Sequence, residues 1–218
     1  MSHAFAVIGL GRFGRSVAIT LSQKGYPVLV VDMKKEIIEE ISGEVSASVQ
    51  SDTTDKDALL ELEVQKFSCV IVGMGASSIE SSILTTALLS QIGCARIIAR
   101  AIHSLHGKVL HSVGAHEVVN PEEEIGVRLA ERLSQPYLLE QFHLGKELRL
   151  SEISTPQRFV GQSLQDLQFR NRFNVSVVAI YRGEVVIANP KAQEIIQEAD
   201  KLVLIGSSNA VQKLASIV

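Results

Sequence analysis

Apolar and polar positions along this chain follow two different periods. Through residue 120, short continuous apolar runs occupy 4–9, 27–32, 45–49, 67–72, 95–100 and 116–119. Between them, segments at 12–24, 34–42, 55–62, 76–92 and 104–113 repeat their apolar residues every three or four positions. The runs read as strands and the periodic segments as helices. Phe13, Val17, Ala18 and Leu21 share one face of the first helix, and Ile79, Ile83, Leu84, Ala87 and Leu88 one face of the fourth. Strands that are apolar throughout are buried on both sheet faces, which calls for helices on each side and a parallel sheet. The pattern predicts a six-strand, doubly wound α/β domain over 1–120.

Residues 120–134 read as an extra helix, with Asn120 as N-cap, Pro121 at the first helical position and Glu122, Glu123 and Glu124 complementing the dipole. Ile125, Leu129, Ala130 and Leu133 form its apolar stripe, and Gln135-Pro136 ends it. This helix and its linker take up 121–143. Beyond it the pattern changes. Val175–Tyr181 and Glu184–Ile187 look like hairpin arms around Arg182-Gly183, Asn189-Pro190 turns the chain, 201–205 is another strand and 207–217 a closing helix. A smaller α+β domain is expected over 144–218.

Composition narrows the chemistry. With 21 basic against 24 acidic residues and no Trp, nothing suggests a nucleic-acid partner. No apolar stretch reaches the roughly 18 residues of a spanning helix and no cleavable signal is visible, so a cytoplasmic protein is expected. Cys69 and Cys94 sit in or beside apolar runs and read as buried thiols.

The first strand runs into Gly9-Leu-Gly11-Arg12-Phe13-Gly14, and a helix follows. In a Rossmann-like sheet the first glycine permits the tight turn, the second lets backbone approach a phosphate and the third brings helix close to strand. The helix N-terminus then offers free N–H groups to an anion. Asp32 ends the second strand 18 residues beyond Gly14, near the spacing of about 20 for a carboxylate that grips ribose hydroxyls. The alternative for Asp32 is a cap on the helix starting near Lys34. Asp52-Thr53, Met74-Gly75 and Arg100 follow the third, fourth and fifth strands, at the edge where such sheets bind ligands. Arg100 is placed either to meet a phosphate or to form a surface salt bridge. His103, His106 and His111 spread over about 140° of the fifth helix and do not converge as metal ligands, so a solvated face is expected. No Tyr is followed four residues later by Lys, and no Gly-x-x-x-x-Gly-Lys loop occurs. Binding without catalysis fits better than an alternative, a nicotinamide-dependent oxidoreductase with a small substrate domain.

Phe5–Gly14, Val31-Asp32, the Gly93–Arg100 strand and the segment from Lys108 to Glu122 together resemble the RCK regulatory subunits of potassium uptake systems, the KtrA/TrkA type, with the single-RCK length of KtrA. That resemblance implies a cytoplasmic, non-enzymatic protein, peripheral to the inner face of the plasma membrane. It would bind ATP/ADP or NAD(H) and form dimers that assemble into an octameric ring on a potassium translocator of KtrB/TrkH type. Gly9, Gly11, Arg12, Phe13 and Gly14 would cradle phosphates, and Asp32 would hold ribose. Asp52, Thr53, Met74 and Gly75 would line the adenine side, with Arg100 at the phosphates. Helix 121–134 resembles the crossover helix exchanged within the dimer, followed by the small α+β C-terminal domain. Glu122 matches an acid that helps hold a divalent or monovalent cation near the terminal phosphate, although a helix-start acid explains it equally well. Asp166, Leu167, Phe169, Arg170, Asn189 and Pro190 fall where some relatives bind cyclic di-AMP. One departure is Ala199-Asp200, where the family has Gly-Asp; an ordinary turn is expected there.

Overall fold

The apolar runs assemble as one parallel sheet of β1 (Phe5–Ile8), β2 (Val28–Asp32), β3 (Ala47–Gln50), β4 (Cys69–Val72), β5 (Ile97–Arg100) and β6 (Glu117–Val119), in the order β3-β2-β1-β4-β5-β6. The structure, a computed structural model, describes residues 3–134, 137–145 and 147–216. Alternate residues serve the two faces. Ala6, Ile8, Val31, Val70, Val72 and Ile97 pack with Leu59, Leu89 and Leu110 of α3 (Lys56–Glu61), α4 (Ile79–Ile92) and α5 (Ser104–Ser112). Val7, Val28, Val30 and Ile71 pack on the other side with Ala18 of α1 (Arg12–Gln23) and Ile38 and Ile41 of α2 (Lys35–Ile41). Burial on both faces explains the continuous rather than alternating hydrophobicity. Cys69 and Cys94 are buried free thiols, and burial pushes Cys94 up to about 11.

α6 (Pro121–Ser134) begins as expected: Asn120 Oδ1 accepts from the Glu123 amide at 3.4 Å, and Asn120 Nδ2 donates to Glu123 Oε2 at 2.7 Å. The expected stop at Gln135-Pro136 lies outside the described residues. The chain divides into compact units at Met1–Glu124 and Ile125–Val218.

The second unit holds an antiparallel sheet, β10-β9-β11-β8-β7, built from β7 (Leu138–His143), β8 (Leu148–Ser154), β9 (Val175–Arg182), β10 (Val185–Ala188) and β11 (Lys201–Ser207). The hairpin, the last strand and the closing helix α9 (Ser208–Ser216) match the pattern reading. β7 lies inside the stretch expected to be helix and linker, and β8 forms where the pattern predicts no strand. Short helices α7 (Leu164–Leu167) and α8 (Phe169–Phe173) bury Leu167, Phe169 and Phe173, together with Phe159 of the preceding turn, against Ile180, Leu202 and Leu204.

Before β11 the Asp200 side chain is fully buried. It accepts from Arg182 Nε at 3.0 Å, Arg182 Nη2 at 2.9 Å and the Gln197 amide at 2.9 Å. The residue ahead of it corrects the sequence reading: Ala199 has φ +64°, so the turn is left-handed rather than ordinary. A Cβ in that region costs about 1–2 kcal/mol. Ala199→Gly is expected to stabilise the second unit by about 1 kcal/mol, after the glycine's extra unfolded-state entropy. Thermal denaturation will check this, and an unchanged or lower midpoint contradicts it.

Candidate functional site

The order of the parallel sheet reverses between β1 and β4, and the chain leaves both strands toward the same crevice. After β1, Gly9 adopts φ +85°; a Cβ there would lie 2.7 Å from Met74 Cγ and 2.9 Å from the Met74 nitrogen. A Cβ on Gly14 would come within 2.1 Å of the Gly9 carbonyl oxygen. These two glycines allow turn, helix and the β4 loop to close on one another. Gly11 differs. Nothing lies within 4 Å of where its Cβ would be, and it caps α1 without any side-chain hydrogen bond. The first turn of α1 carries no acid, so its free N–H groups and partial positive charge are available to an anion. Arg12, exposed, starts the helix beside them.

Asp32 is not the cap of α2, whose N-cap is Lys34 with no side-chain cap bond; its two oxygens bind the loops on either side of it. Oδ2 accepts from the Leu10 amide at 2.7 Å, tying the glycine turn to β2, and Oδ1 accepts from the Lys34 amide at 3.0 Å. Each oxygen keeps acceptor capacity for a ribose hydroxyl. Asp32, Asp52, Thr53 and Met74 share a cavity of about 190 Å³ with Gly9. The Asp52 carboxylate accepts from the Thr54 hydroxyl at 2.7 Å and its amide at 2.9 Å, and these bonds hold it below the usual carboxylate range. Thr53 is buried, with its hydroxyl 3.0 Å from that of Thr85.

Arg100 reaches the same edge from β5. Its guanidinium stands 5.9 Å from the centre of the Phe13 ring and 4.0 Å from where a Gly75 Cβ would be, and Nη2 donates to Glu122 Oε1. Of the two readings of Arg100, the salt bridge is the one observed, made by a mostly buried guanidinium at the edge that carries the glycine turn. Among the described residues no group of three His, Cys, Asp or Glu could hold a metal.

The histidines correct one expectation. His106 is buried, not on a solvated face: Nδ1 accepts from the Ile102 amide at 3.3 Å, leaving Nε2 to donate to Ser82 Oγ at 3.0 Å. Burial, with His103 nearby, lowers its pKa and keeps this neutral tautomer. The buried face of α4 also differs from the apolar stripe that the pattern picks out. Ser82, Thr85 and Thr86 are buried, and Ser78 and Ser81 line the 190 Å³ cavity. Their i, i+3, i+4 spacing was the available signal.

In the second unit, Phe169, Arg170 and Pro190 line a cavity of about 490 Å³. Asp166, Leu167 and Asn189 stand outside that lining. Asp166 forms a capping box with Ser163, Leu167 is in the core, and Asn189, at φ +49°, donates its amide to the Val178 carbonyl. Among the described residues no helix is long and apolar enough to cross a membrane.

Known proteins carry the same two-part organisation. The TrkA-N domain model matches residues 5–121 and the TrkA-C domain model residues 148–218. The Ktr system potassium uptake protein C of Bacillus subtilis is 37% identical over 213 residues, 98% of this chain and 96% of the relative. Protein A of the same system in Vibrio alginolyticus is 30% identical over 214 residues, 98% of this chain and 97% of the relative. Among solved structures, the GsuK channel superposes with a TM-score of 0.72 at 20% identity, covering 98% of this chain and 39% of that one. The GsuK RCK domain gives 0.69 at 18%, covering 100% and 48%. The chain thus spans less than half of either solved chain, and at those identities the likeness is one of fold. Matched in order by both domain models and, over nearly its full length, by these relatives, the chain belongs to the Ktr family of potassium uptake proteins.

Proposed function

We propose that this protein is a nucleotide-sensing gating subunit of a membrane potassium uptake system, acting by binding rather than catalysis. One observation carries the reading: an uncapped helix N-terminus behind an open Gly11, the Asp32 carboxylate at the end of β2 and the Arg100 guanidinium occupy one sheet edge. In this reading adenosine enters the cavity of Asp32, Asp52, Thr53 and Met74. The phosphates of ATP or ADP, or the pyrophosphate of NAD(H), then run along Gly9–Gly14, with Gly75, Arg12 and Arg100 nearby. A cation at the terminal phosphate fits only with phosphate oxygens as most of its ligands, because Glu122 is a single protein donor. The cavity of Phe169, Arg170 and Pro190 is the candidate for cyclic di-AMP.

The partner in this reading is a membrane translocator of KtrB/TrkH type, engaged from the cytoplasmic side by an octameric ring of dimers. Support for self-association comes from α6, whose Ile125, Val127, Leu129 and Leu133 are all exposed apolar side chains. The Ile125→Asp/Leu129→Asp double variant is expected to convert the dimer to monomer, since it would bury carboxylates in an apolar seam. Light scattering reads the mass, and a wild-type monomer at micromolar concentration refutes the assembly.

Mass spectrometry of nucleotide released from the purified protein, with calorimetric titration of ATP, ADP and NADH, tests the central claim. Failure to bind any of the three overturns it. Steady NADH turnover across a substrate panel would move the chain to the oxidoreductases.

A further inference from the structure

Arg100 is mostly buried, with 14% of its side chain exposed, while its ion-pair partner Glu122 is 64% exposed. Its Nε is one of two buried side-chain polar atoms without a hydrogen-bond partner among the described residues. A guanidinium offers five N–H donors, so Glu122 satisfies only part of this group. The guanidinium also stands by the ring of Phe13, in the first turn of α1. It therefore lies at the helix end where amides are free for an anion.

We propose that Glu122 is a built-in competitor for the nucleotide's phosphates. This rests on the nucleotide reading above. The carboxylate neutralises Arg100 until a phosphate takes the guanidinium, and the exchange releases the first turn of α6 from the end of β5. The asymmetry of exposure sets the direction. Glu122 loses little on leaving, because water already solvates most of it. A phosphate gains Arg100 and the α1 amides together, and charge-assisted bonds of this kind are the strong ones. The freed Glu122 is then available to a cation on the terminal phosphate, so its two roles are successive rather than exclusive.

Calorimetry in chelator-containing buffer, with ADP and adenosine as probes, separates the possibilities. Glu122→Gln, at an exposed position, is expected to tighten ADP binding about fivefold, the equivalent of one exposed ion pair. Adenosine binding should not change. In an Arg100→Gln background the gain from Glu122→Gln should vanish. Equal tightening with and without Arg100 would reveal plain charge repulsion and overturn the competition, as would no tightening at all. Hydrogen exchange on the wild-type protein decides independently of whether Arg100→Gln folds: ADP, but not adenosine, should speed exchange of the Glu123 and Glu124 amides. Slower or unchanged exchange with bound ADP overturns the release. A wild-type protein that binds neither probe overturns the nucleotide reading itself and the competition with it.

Discussion

Gly11→Asp should abolish binding of ATP, ADP and NADH without lowering the melting temperature. The two halves of that expectation have separate causes. Gly11 has φ −61° and ψ −178°, a conformation open to any residue, and nothing stands within 4 Å of a Cβ built there. It is also the N-cap of α1, a position where Asp is among the best residues, better than Gly by about 0.3 kcal/mol. The new carboxylate would accept from the amides that otherwise face a phosphate and place a negative charge against the incoming one. Loss of several kcal/mol in nucleotide affinity, a thousandfold or more, follows from exchanging a charge-assisted attraction for a repulsion. Calorimetry and circular dichroism on the same sample check both halves. Undiminished affinity in a folded Gly11→Asp protein would remove the glycine turn from the site.

The largest loss of stability is expected from Asp200→Ala. Removing a buried carboxylate leaves the Arg182 guanidinium unpaired on that side and the Gln197 amide without its acceptor. Breaking a buried pair costs about 3–5 kcal/mol. The lower end applies here, because 28% of the Arg182 side chain is exposed and Glu194 still holds it at 3.1 Å. About 3 kcal/mol corresponds to a drop on the order of 10 °C in the melting of a domain this small. The same carboxylate sets a pH dependence. Burial raises the Asp200 pKa, but the hydrogen bonds and charge of Arg182 and the Gln197 amide outweigh it, and the net shift is downward. A folded pKa below the unfolded one means the pair's stabilisation is complete above pH about 4 and fades as pH falls through the folded value. The stability of the wild type should therefore fall below about pH 4, and that part of the decline should be missing in Asp200→Ala. Identical acid profiles for the two proteins would assign the acid sensitivity to other carboxylates.

The first unit is the more legible half of this chain because its strands are apolar on both faces and separated by helices long enough to show their period. β8 shows why the second unit is harder. Its inward positions include Ser151, fully buried and paired with Gln141, while Leu148 faces out. Simple alternation therefore puts the polar residue on the wrong side. The four and five residues of α7 and α8 are too few to display a helical repeat. At the candidate site, spacing alone points to the glycines, Asp32 and the strand-end residues, and Gly9, Asp32, Asp52, Thr53 and Met74 do share one cavity. The Arg100–Glu122 pair is not readable in that way, since 22 residues and two elements separate its members. Helical angles describe the spread of His103, His106 and His111 but carry no information on depth, which is why they leave the burial of His106 unforeseen.

The hydroxyls on the buried face of α4 bear on what can move. A helix packed only through alkyl groups can slide by fractions of a turn at little enthalpic loss. α4 is instead keyed at two points, Thr85 to the loop carrying Thr53 and Ser82 to His106 of α5, through bonds of 3.0 Å that hold only in one register. Shifting it would strand two buried hydroxyls and an imidazole, at about 1–3 kcal/mol each. The α4 wall of the 190 Å³ cavity thus behaves as a fixed anvil, and in the proposed nucleotide reading any movement on binding falls to α1 and the start of α6.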